Sequence, residues 1–444
     1  MILRAQNLCI SKSLESRMRP QSHREPRRVF LEMIKKHRAM IFSPTYRNRS
    51  RKRPEDFTRE RKLPFGQMIC FMLNMVRQST QTALDKFFEL LGKDDIHMSQ
   101  QSFSEARQKL RWEACRELMD ASVRDVYSAG FSTWHGYRTW AVDGSKMQLP
   151  SDPALLEVFG AAGRGKSAAT AQASCLYDVL NGIIADARLE PMATDERTIA
   201  VKHLCHLRSL ETFGKELVIL DRGYPSAELI ELFQELDVRF LMRVRKKFVL
   251  DMDAMPLGDH RYTMAVKRKQ LPIRVVKFLL PGGETETLIT DLTDKRMGTD
   301  AFKALYFKRW PVETKYNELK HMLEIENFSG RTKESVYQDF YITAYLSNMI
   351  AVAANETQPL IDDIREDKDN VYNYKVNKNH AVGAFKDRFI EAMLEPNPRK
   401  RFRVVRRILF LMAFHPTPSR PNRSVPRNPN PRKANFHFNQ KSNC

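Results

Sequence analysis

The stretch Tyr306–Lys320 combines a tyrosine hydroxyl, an arginine, a carboxylate and a lysine within fifteen residues. Pro311 suits the first turn of a helix, and no further proline or glycine interrupts the stretch. On that helix Arg309, Glu313 and Lys320 recur about one and two turns apart, so they share roughly one face. A carboxylate flanked by cations suits a site that holds both metal ions and phosphate. The same charges would also fit a salt-bridged surface helix, so acidic residues elsewhere must distinguish the two interpretations.

Two aspartates, Asp143 and Asp221, each end a short apolar run that is typical of a buried strand. Between them, Asn181-Gly182 predicts a two-residue hairpin turn that joins two further strands. After the hairpin, predicted helices alternate with strands up to about Val244. This is the element order of a ribonuclease-H-like domain, in which Asp143 lies on the first strand and Asp221 at the tip of the fourth.

The spacing of Tyr306, Arg309, Glu313 and Lys320 resembles the signature around the third acidic residue in DDE transposases of the insertion sequence four family. The sequence RWPVE at its centre is similar to that family's usual sequence, and the resemblance covers roughly Tyr137–Ile350. The resemblance implies that Tyr306, Arg309 and Lys320 contact DNA phosphates beside the cut.

The resemblance also implies an acidic triad of Asp143, Asp221 and Glu313 that holds two Mg²⁺ (or Mn²⁺) ions roughly 4 Å apart. Hard divalent cations prefer oxygen ligands; one ion activates the attacking oxygen and the other stabilises the leaving oxygen. The implied enzyme is a DNA transposase that binds the terminal inverted repeats of its element, cuts double-stranded DNA at the ends and joins them to target DNA. It would act as a homodimer in the synaptic complex, because two ends are cut in concert.

Two other functions remain open from the sequence. A ribonuclease-H-like DNA nuclease would cut without joining, so strand-transfer products would separate it from a transposase. A non-catalytic, transposase-derived regulator would bind DNA without chemistry, and the set of three acids speaks against it because a binder has no need for all three. The segment Gly160–Ser167 satisfies the P-loop pattern, but the preceding residues look helical, so we do not expect nucleotide binding there.

A helical region over residues 64–133 is expected to bind DNA. Two short helices joined by a turn resemble a helix-turn-helix, and the capping box Ser102–Glu105 would open the second. The side chains best placed to reach bases or phosphates are Gln100, Gln101, Ser104, Arg107 and Lys109. Helix pairs are common, so this interpretation depends on those side chains being exposed.

The composition predicts a polyanionic partner, because 74 Lys and Arg against 53 Asp and Glu give a formal net charge of +21. No apolar run reaches the ~20 residues of a spanning helix, so nucleic acid is favoured over membrane. The six cysteines form no CxxC pair and predict no disulfide framework. The N-terminus lacks a signal-peptide core, and we expect a cytoplasmic bacterial protein associated with the nucleoid.

The expected fold class is α/β, a ribonuclease-H-like mixed sheet with a β-rich insertion. An all-α N-terminal domain precedes it and a helical C-terminal region follows it. We predict a basic N-terminal arm over 1–63, a helical DNA-binding domain over 64–133, and a catalytic domain over 134–355 with its insertion at about 246–300. We place the helical C-terminal region at 356–415 and a disordered basic tail at 416–444.

Overall fold

A mixed β-sheet of eight strands lies at the centre of the fold and confirms the predicted α/β class. The structure is a computed structural model that describes residues 28–59, 61–74, 79–163, 168–209, 214–266, 269–294, 296–366, 372–386 and 388–420. The strands of the sheet are β1 (Arg138–Gln148), β2 (Thr170–Asp178), β3 (Ile184–Pro191), β4 (Glu216–Leu220), β5 (Arg239–Arg243), β6 (Gly258–Val266), β7 (Lys269–Leu279) and β8 (Thr285–Thr290). Their order across the sheet is β3-β2-β1-β4-β5-β8-β7-β6.

Helices precede the sheet, connect its strands and follow it. Before the sheet come α1 (Val29–Ile41), α2 (Pro44–Ser50), α3 (Phe65–Met72), α4 (Thr80–Leu90), α5 (Gln100–Gln108) and α6 (Glu113–Ala129). Between the strands come α7 (Pro153–Phe159), α8 (Glu196–Ser209), α9 (Ala227–Glu235) and α10 (Leu250–Ala254). After it come α11 (Thr299–Phe307), α12 (Pro311–Asn317), a π-helix (Glu318–Met322), α13 (Lys333–Glu366), α14 (Lys378–Lys386), α15 (Phe389–Leu394) and α16 (Pro398–Phe414).

The first five strands combine an antiparallel meander with two parallel strands. Strands β1, β2 and β3 are antiparallel neighbours, and the predicted turn at Asn181-Gly182 lies between β2 and β3. Gly182 has a positive φ of 75°, a backbone conformation that glycine adopts without steric cost. Strands β4 and β5 run parallel to β1, and helices α8 and α9 make the crossovers. Every residue of β4 is buried, as expected for a strand covered on both faces.

The segment predicted as a β-rich insertion extends the same sheet. Strand β8 pairs antiparallel with β5, with Leu241 opposite Thr290, and β7 and β6 continue the meander outward. Strands β6, β7 and β8 all lie within the predicted insertion at about 246–300. The short helix α10 directly precedes β6.

Part of the predicted N-terminal arm is helical and packed, so the expected arm over 1–63 is wrong from residue 29 onward. Phe30 in α1 and Tyr46 in α2 are fully buried, and the Tyr46 hydroxyl donates to the carbonyl of Ala114 at 2.8 Å. The most basic part of this segment, Arg47–Arg53, therefore begins within α2, on a helix whose other face belongs to the core. Residues 1–27 of the predicted arm lie outside the described residues.

The long helix α13 connects the helical regions to the sheet. It packs on α6, on β3 and on α16. The Asn348 side chain accepts a hydrogen bond from the Ile184 backbone N–H and donates one to the Ile184 carbonyl, so it continues the pairing of β3. Trp112 stacks on Tyr337 and Tyr341 of α13. These contacts fix the helix to the edge of the sheet.

The C-terminal helices α14, α15 and α16 follow α13, and the short strands β9 (Asn373–Lys375) and β10 (Thr417–Ser419) pair beside it. Of the predicted basic tail, 421–444 lies outside the described residues. No helix within the described part of the chain has the length and apolar character needed to cross a membrane.

Glu356 of α13 caps α1, and its burial makes the stability of the fold depend on pH. The Phe30 backbone N–H donates to Oε2 of Glu356 at 2.8 Å, while Arg28 at the helix N-cap makes no side-chain capping bond. Burial raises the pKa of Glu356 from 4.5 to about 7, against the opposing effects of the Phe30 N–H and the Arg28 charge. A group with a raised folded-state pKa stabilises the fold fully below its unfolded pKa and loses this contribution as pH rises through about 7.

We therefore expect Glu356→Gln, which keeps an oxygen acceptor but does not titrate, to gain stability relative to the wild type as pH rises. The difference in melting temperature should grow by a few degrees between pH 4.5 and pH 8, as measured by differential scanning calorimetry across that range. A difference that stays constant with pH would show that the Glu356 carboxyl does not titrate in this window.

Candidate active site

Asp143 and Asp221 lie at the same level of two neighbouring parallel strands. Asp143 is in β1, and Asp221 directly follows β4. Ala141 of β1 pairs with Ile219 of β4, so each aspartate lies two residues beyond a paired position. Because side chains alternate between faces along a strand, the two carboxyl groups leave the sheet on the same face and at the same edge.

Asp143 is a partly buried carboxyl group surrounded by charges of both signs. Burial raises its pKa to about 6, Arg309 and the backbone N–H of Gly144 oppose the rise, and the carboxylates of Glu313 and Glu196 add to it. Arg309 and Glu313 thus lie within electrostatic reach of Asp143. A further cation beside Asp143 would favour its ionised form.

Hydrogen bonds keep Asp221 ionised. Burial alone would raise the pKa of Asp221. The pKa nevertheless lies below its ordinary value, because the carboxylate interacts with the Arg222 backbone N–H, the Arg309 guanidinium and the Tyr306 hydroxyl. The Tyr306 hydroxyl, near the end of α11, donates to Oδ1 of Asp221 at 3.0 Å. Burial also raises the pKa of Tyr306, so the hydroxyl remains a donor.

Glu313 lies in the first turn of α12, and Arg309 joins it to the two aspartates. Arg309 precedes the helix, is buried, and donates from Nη2 to Oε1 of Glu313 at 2.7 Å. Burial alone would lower the pKa of Arg309, but Glu313 and the two aspartates, Asp143 and Asp221, raise it. Three acids from distant parts of the chain therefore act on one guanidinium.

The carboxylates fit a divalent cation in their chemistry, although they are not gathered around one point. Among the described residues, no three His, Cys, Asp or Glu side chains lie close enough together to hold a metal ion. Arg309 supplies the positive charge that the acids require in this arrangement. The donor set is nevertheless the one that hard divalent cations prefer, because it consists of carboxylate oxygens.

Lys320 lies against β1 rather than beside Arg309. The expected single helix is interrupted, because α12 ends at Asn317 and Lys320 belongs to the π-helix. Its Nζ donates to the Lys146 carbonyl at 2.6 Å and pairs with Glu326 at 3.3 Å. The expectation that Arg309, Glu313 and Lys320 share one face of a continuous helix is therefore wrong.

Arg107 does not face solvent, so its predicted contact with DNA does not fit the structure. Its guanidinium is buried and donates to Gln338 at 2.5 Å, to the Ser335 carbonyl at 3.0 Å and to Asp339 at 2.7 Å. A further bond joins it to Ser329. All of these partners lie in α13 or directly before it, so Arg107 anchors α5 to that helix.

The other predicted DNA contacts lie on or beside α5 in more accessible positions. Helix α5 begins at Gln100 with Ser99 as its N-cap, so the predicted capping box at Ser102 lies inside the helix. Gln100 and Gln101 are exposed, and Lys109 at the C-cap is half-buried. The Gln101 amide donates to Glu105, one turn along the same helix.

A basic cleft next to Asp221 was not identified from the sequence. It has a volume of about 790 Å³ and lies between the β4 end, the β5 end and the β7–β8 hairpin. Its basic side chains are Arg222, Arg243, Arg245 and Lys246. The signal was available, because these residues lie at or just beyond the ends of two parallel strands that meet at one edge of the sheet.

The part of the chain that contains the sheet matches a known DDE-type transposase domain. Residues 134–349 match the family described as "Transposase DDE domain". The chain is 22% identical to the transposase InsG for insertion sequence element IS4 of Escherichia coli (strain K12) over 320 residues. The aligned region covers 66% of this chain and 70% of that protein. These matches confirm the predicted resemblance to DDE transposases of the insertion sequence four family and support the function of a DNA transposase.

Among solved structures, the cryo-electron microscopy structure of the piggyBac transposase synaptic complex with hairpin DNA is similar to this chain. The alignment has a TM-score of 0.49 and 10% identity, and covers 85% of this chain and 84% of that chain.

Proposed function

We propose that Asp143, Asp221 and Glu313 form the acidic triad of a ribonuclease-H-like catalytic domain over 134–355 and hold divalent metal, Mg²⁺ (or Mn²⁺). The observation that supports this proposal is the guanidinium of Arg309, which binds Glu313 and interacts electrostatically with both aspartates. When bound, a metal pair would activate the attacking oxygen and stabilise the leaving oxygen of a phosphodiester.

The residues around the triad would orient it and hold the DNA phosphate. Tyr306 donates to Oδ1 of Asp221 and would orient this carboxylate. Arg309 would contact a DNA phosphate beside the acids, a role that its planar guanidinium suits. Lys320 would contribute a second phosphate contact from the β1 side.

The DNA substrate is proposed to be the terminal inverted repeats of an insertion sequence, followed by target DNA. The Escherichia coli relative is named for its insertion sequence element, which supports this substrate class. Gln100, Gln101 and Lys109 remain the proposed end contacts in the helical region over 64–133, and the basic cleft beside Asp221 would hold a strand near the cut. We propose a homodimer in the synaptic complex, acting on nucleoid DNA in the bacterial cytoplasm.

A strand-transfer assay tests this function. The full-length protein is mixed with a linear duplex that carries the DNA flanking its gene, a supercoiled target plasmid and MgCl₂. We expect cleaved ends together with end-to-plasmid joined products, and EDTA should abolish both because the acids bind no substrate oxygen without metal. Cleavage without joined products would favour a nuclease, and binding without cleavage would favour a non-catalytic regulator.

A further inference from the structure

The Glu313 helix is tied directly to the Asp143 strand. The Tyr316 hydroxyl, three residues after Glu313, donates to the backbone carbonyl of Asp143 at 2.9 Å. Burial holds the pKa of Tyr316 well above its ordinary value, so the hydroxyl keeps its proton. The same carbonyl accepts a second bond, from Oγ of Ser174 on the neighbouring strand β2, at 3.2 Å.

Two more side chains from the same segment bind the backbone of β1 further along. Nζ of Lys320 donates to the carbonyl of Lys146 at 2.6 Å, and the backbone N–H of Gln148 donates to Oε1 of Glu326 at 3.0 Å. With the Tyr316 bond, these contacts form a series along one strand, which we call the β1 ladder. Lys320 and Glu326 also pair with each other at 3.3 Å, which connects two of its three members.

The network behind β2 supports the same strand. His203 of α8 lies between Ser174, 2.9 Å from its Nε2, and Asp186, 2.8 Å from its Nδ1. All three side chains are buried, so this Ser-His-Asp arrangement has no access to substrate. This network positions Ser174 of β2 beside the Asp143 carbonyl.

We infer that the β1 ladder sets the distance between Asp143 and Glu313, and that Tyr316 and Glu326 are positioning residues for the proposed metal site. Helix α12 has only seven residues and passes into a π-helix, so its own backbone does not fix its direction. Residues three apart on a helix are neighbours, so Glu313 and Tyr316 move together. The inference rests on the proposed function of the two acids.

Tyr316→Phe removes one hydroxyl and tests the first contact of the ladder in the full-length protein. We expect the cleavage rate on the flanking-DNA duplex to fall about 10–100-fold, as sub-ångström to ångström misplacement of catalytic groups does. Mn²⁺ affinity, measured without DNA by electron paramagnetic resonance of the free ion, should weaken several-fold. End binding by fluorescence anisotropy should stay within about two-fold, because no DNA contact is removed.

Tyr127→Phe is the matched control. Tyr127 is as buried as Tyr316 and donates to Asp178 at 2.6 Å, away from the acids. Its variant should lose comparable thermal stability but keep the wild-type cleavage rate and Mn²⁺ affinity. Equal losses of rate in the two variants, or a wild-type rate for Tyr316→Phe, would overturn the inference.

Two substitutions at Glu326 provide a second test of the inference if the Tyr316→Phe variant folds poorly. Glu326→Gln retains an oxygen acceptor for the Gln148 N–H, whereas Glu326→Ala removes it. The alanine variant should therefore lose more of the cleavage rate and of the Mn²⁺ affinity than the glutamine variant, and equal behaviour would count against the ladder.

The failure of the ladder is distinguishable from the failure of the proposed function. If Asp143→Asn abolishes cleavage while Tyr316→Phe cleaves normally, only the ladder is wrong. If Asp143→Asn cleaves normally, the proposed metal site itself is wrong.

Discussion

Asp143→Asn, Asp221→Asn and Glu313→Gln are each expected to lower the rate of DNA-end cleavage by roughly 10³-fold or more while leaving end binding nearly unchanged. An amide matches the carboxylate in size but lacks the charge that holds a divalent cation, and metal stabilisation of the transition state is worth several kcal/mol. Since the three acids act as one unit, a double variant should be little worse than either single variant. Gel-based cleavage and fluorescence anisotropy on the same duplex measure the two quantities.

Glu196→Gln provides the matched control for the triad. Glu196 begins α8, is exposed, and acts electrostatically on Asp143 without taking part in the proposed site. Its side chain accepts a hydrogen bond from Gln172 at 3.2 Å, which glutamine can still accept. Removing this charge should change cleavage only slightly. Loss of end binding in all three triad variants would instead indicate that the acids are structural.

Asp143 and Asp221 could be located from the sequence because local patterns define them. Each follows a short apolar run, and Asn181-Gly182 between them predicts a hairpin, so strand order could be inferred without tertiary information. The strand predicted to end at Asp221 is β4, in which every residue is buried. Glu313 required the additional resemblance, because its own helix has only seven residues.

The surroundings of the acids could not be predicted, because they depend on contacts between distant segments. Arg309 binds Glu313, which is only four residues away in the sequence. Its electrostatic interaction with the two aspartates, in contrast, requires β1 and β4 to be neighbours. Lys320 has the sequence context of a helix, yet a π-helix turns it onto β1. Spacing along the chain gives the residue types of a site, whereas the fold decides which atoms they contact.

The N-terminal region shows how basic composition misled the interpretation. A stretch rich in Lys and Arg predicts a solvated arm, but α1 and α2 carry apolar residues on their other faces, and Phe30 and Tyr46 are fully buried. Long basic side chains tolerate this arrangement because their charged ends stay in water while the helix packs. Composition averaged over 63 residues concealed this periodicity.

Arg107→Ala is expected to destabilise the fold by about 3 kcal/mol, because removing one partner of a buried ion pair leaves the remaining groups without compensation. The side chain that was predicted to contact DNA instead joins α5 to α13 through Asp339, Gln338 and the carbonyl of Ser335. Its loss should lower the midpoint of urea unfolding and make protease cleavage near α5 faster.

Two companion variants separate this structural role from DNA contact. Arg107→Lys keeps the charge but has fewer donors in a different geometry, so it should recover only part of the lost stability. Gln101→Ala, on the exposed side of the same helix, should leave unfolding unchanged and weaken end binding if α5 faces DNA.

A direct phosphate contact by Arg107 would give the opposite pattern for Arg107→Ala: wild-type unfolding, weaker end binding, and a salt dependence reduced by about one phosphate contact. The buried guanidinium favours the first pattern, because four of its five N–H donors bind partners in α13 and the turn before it.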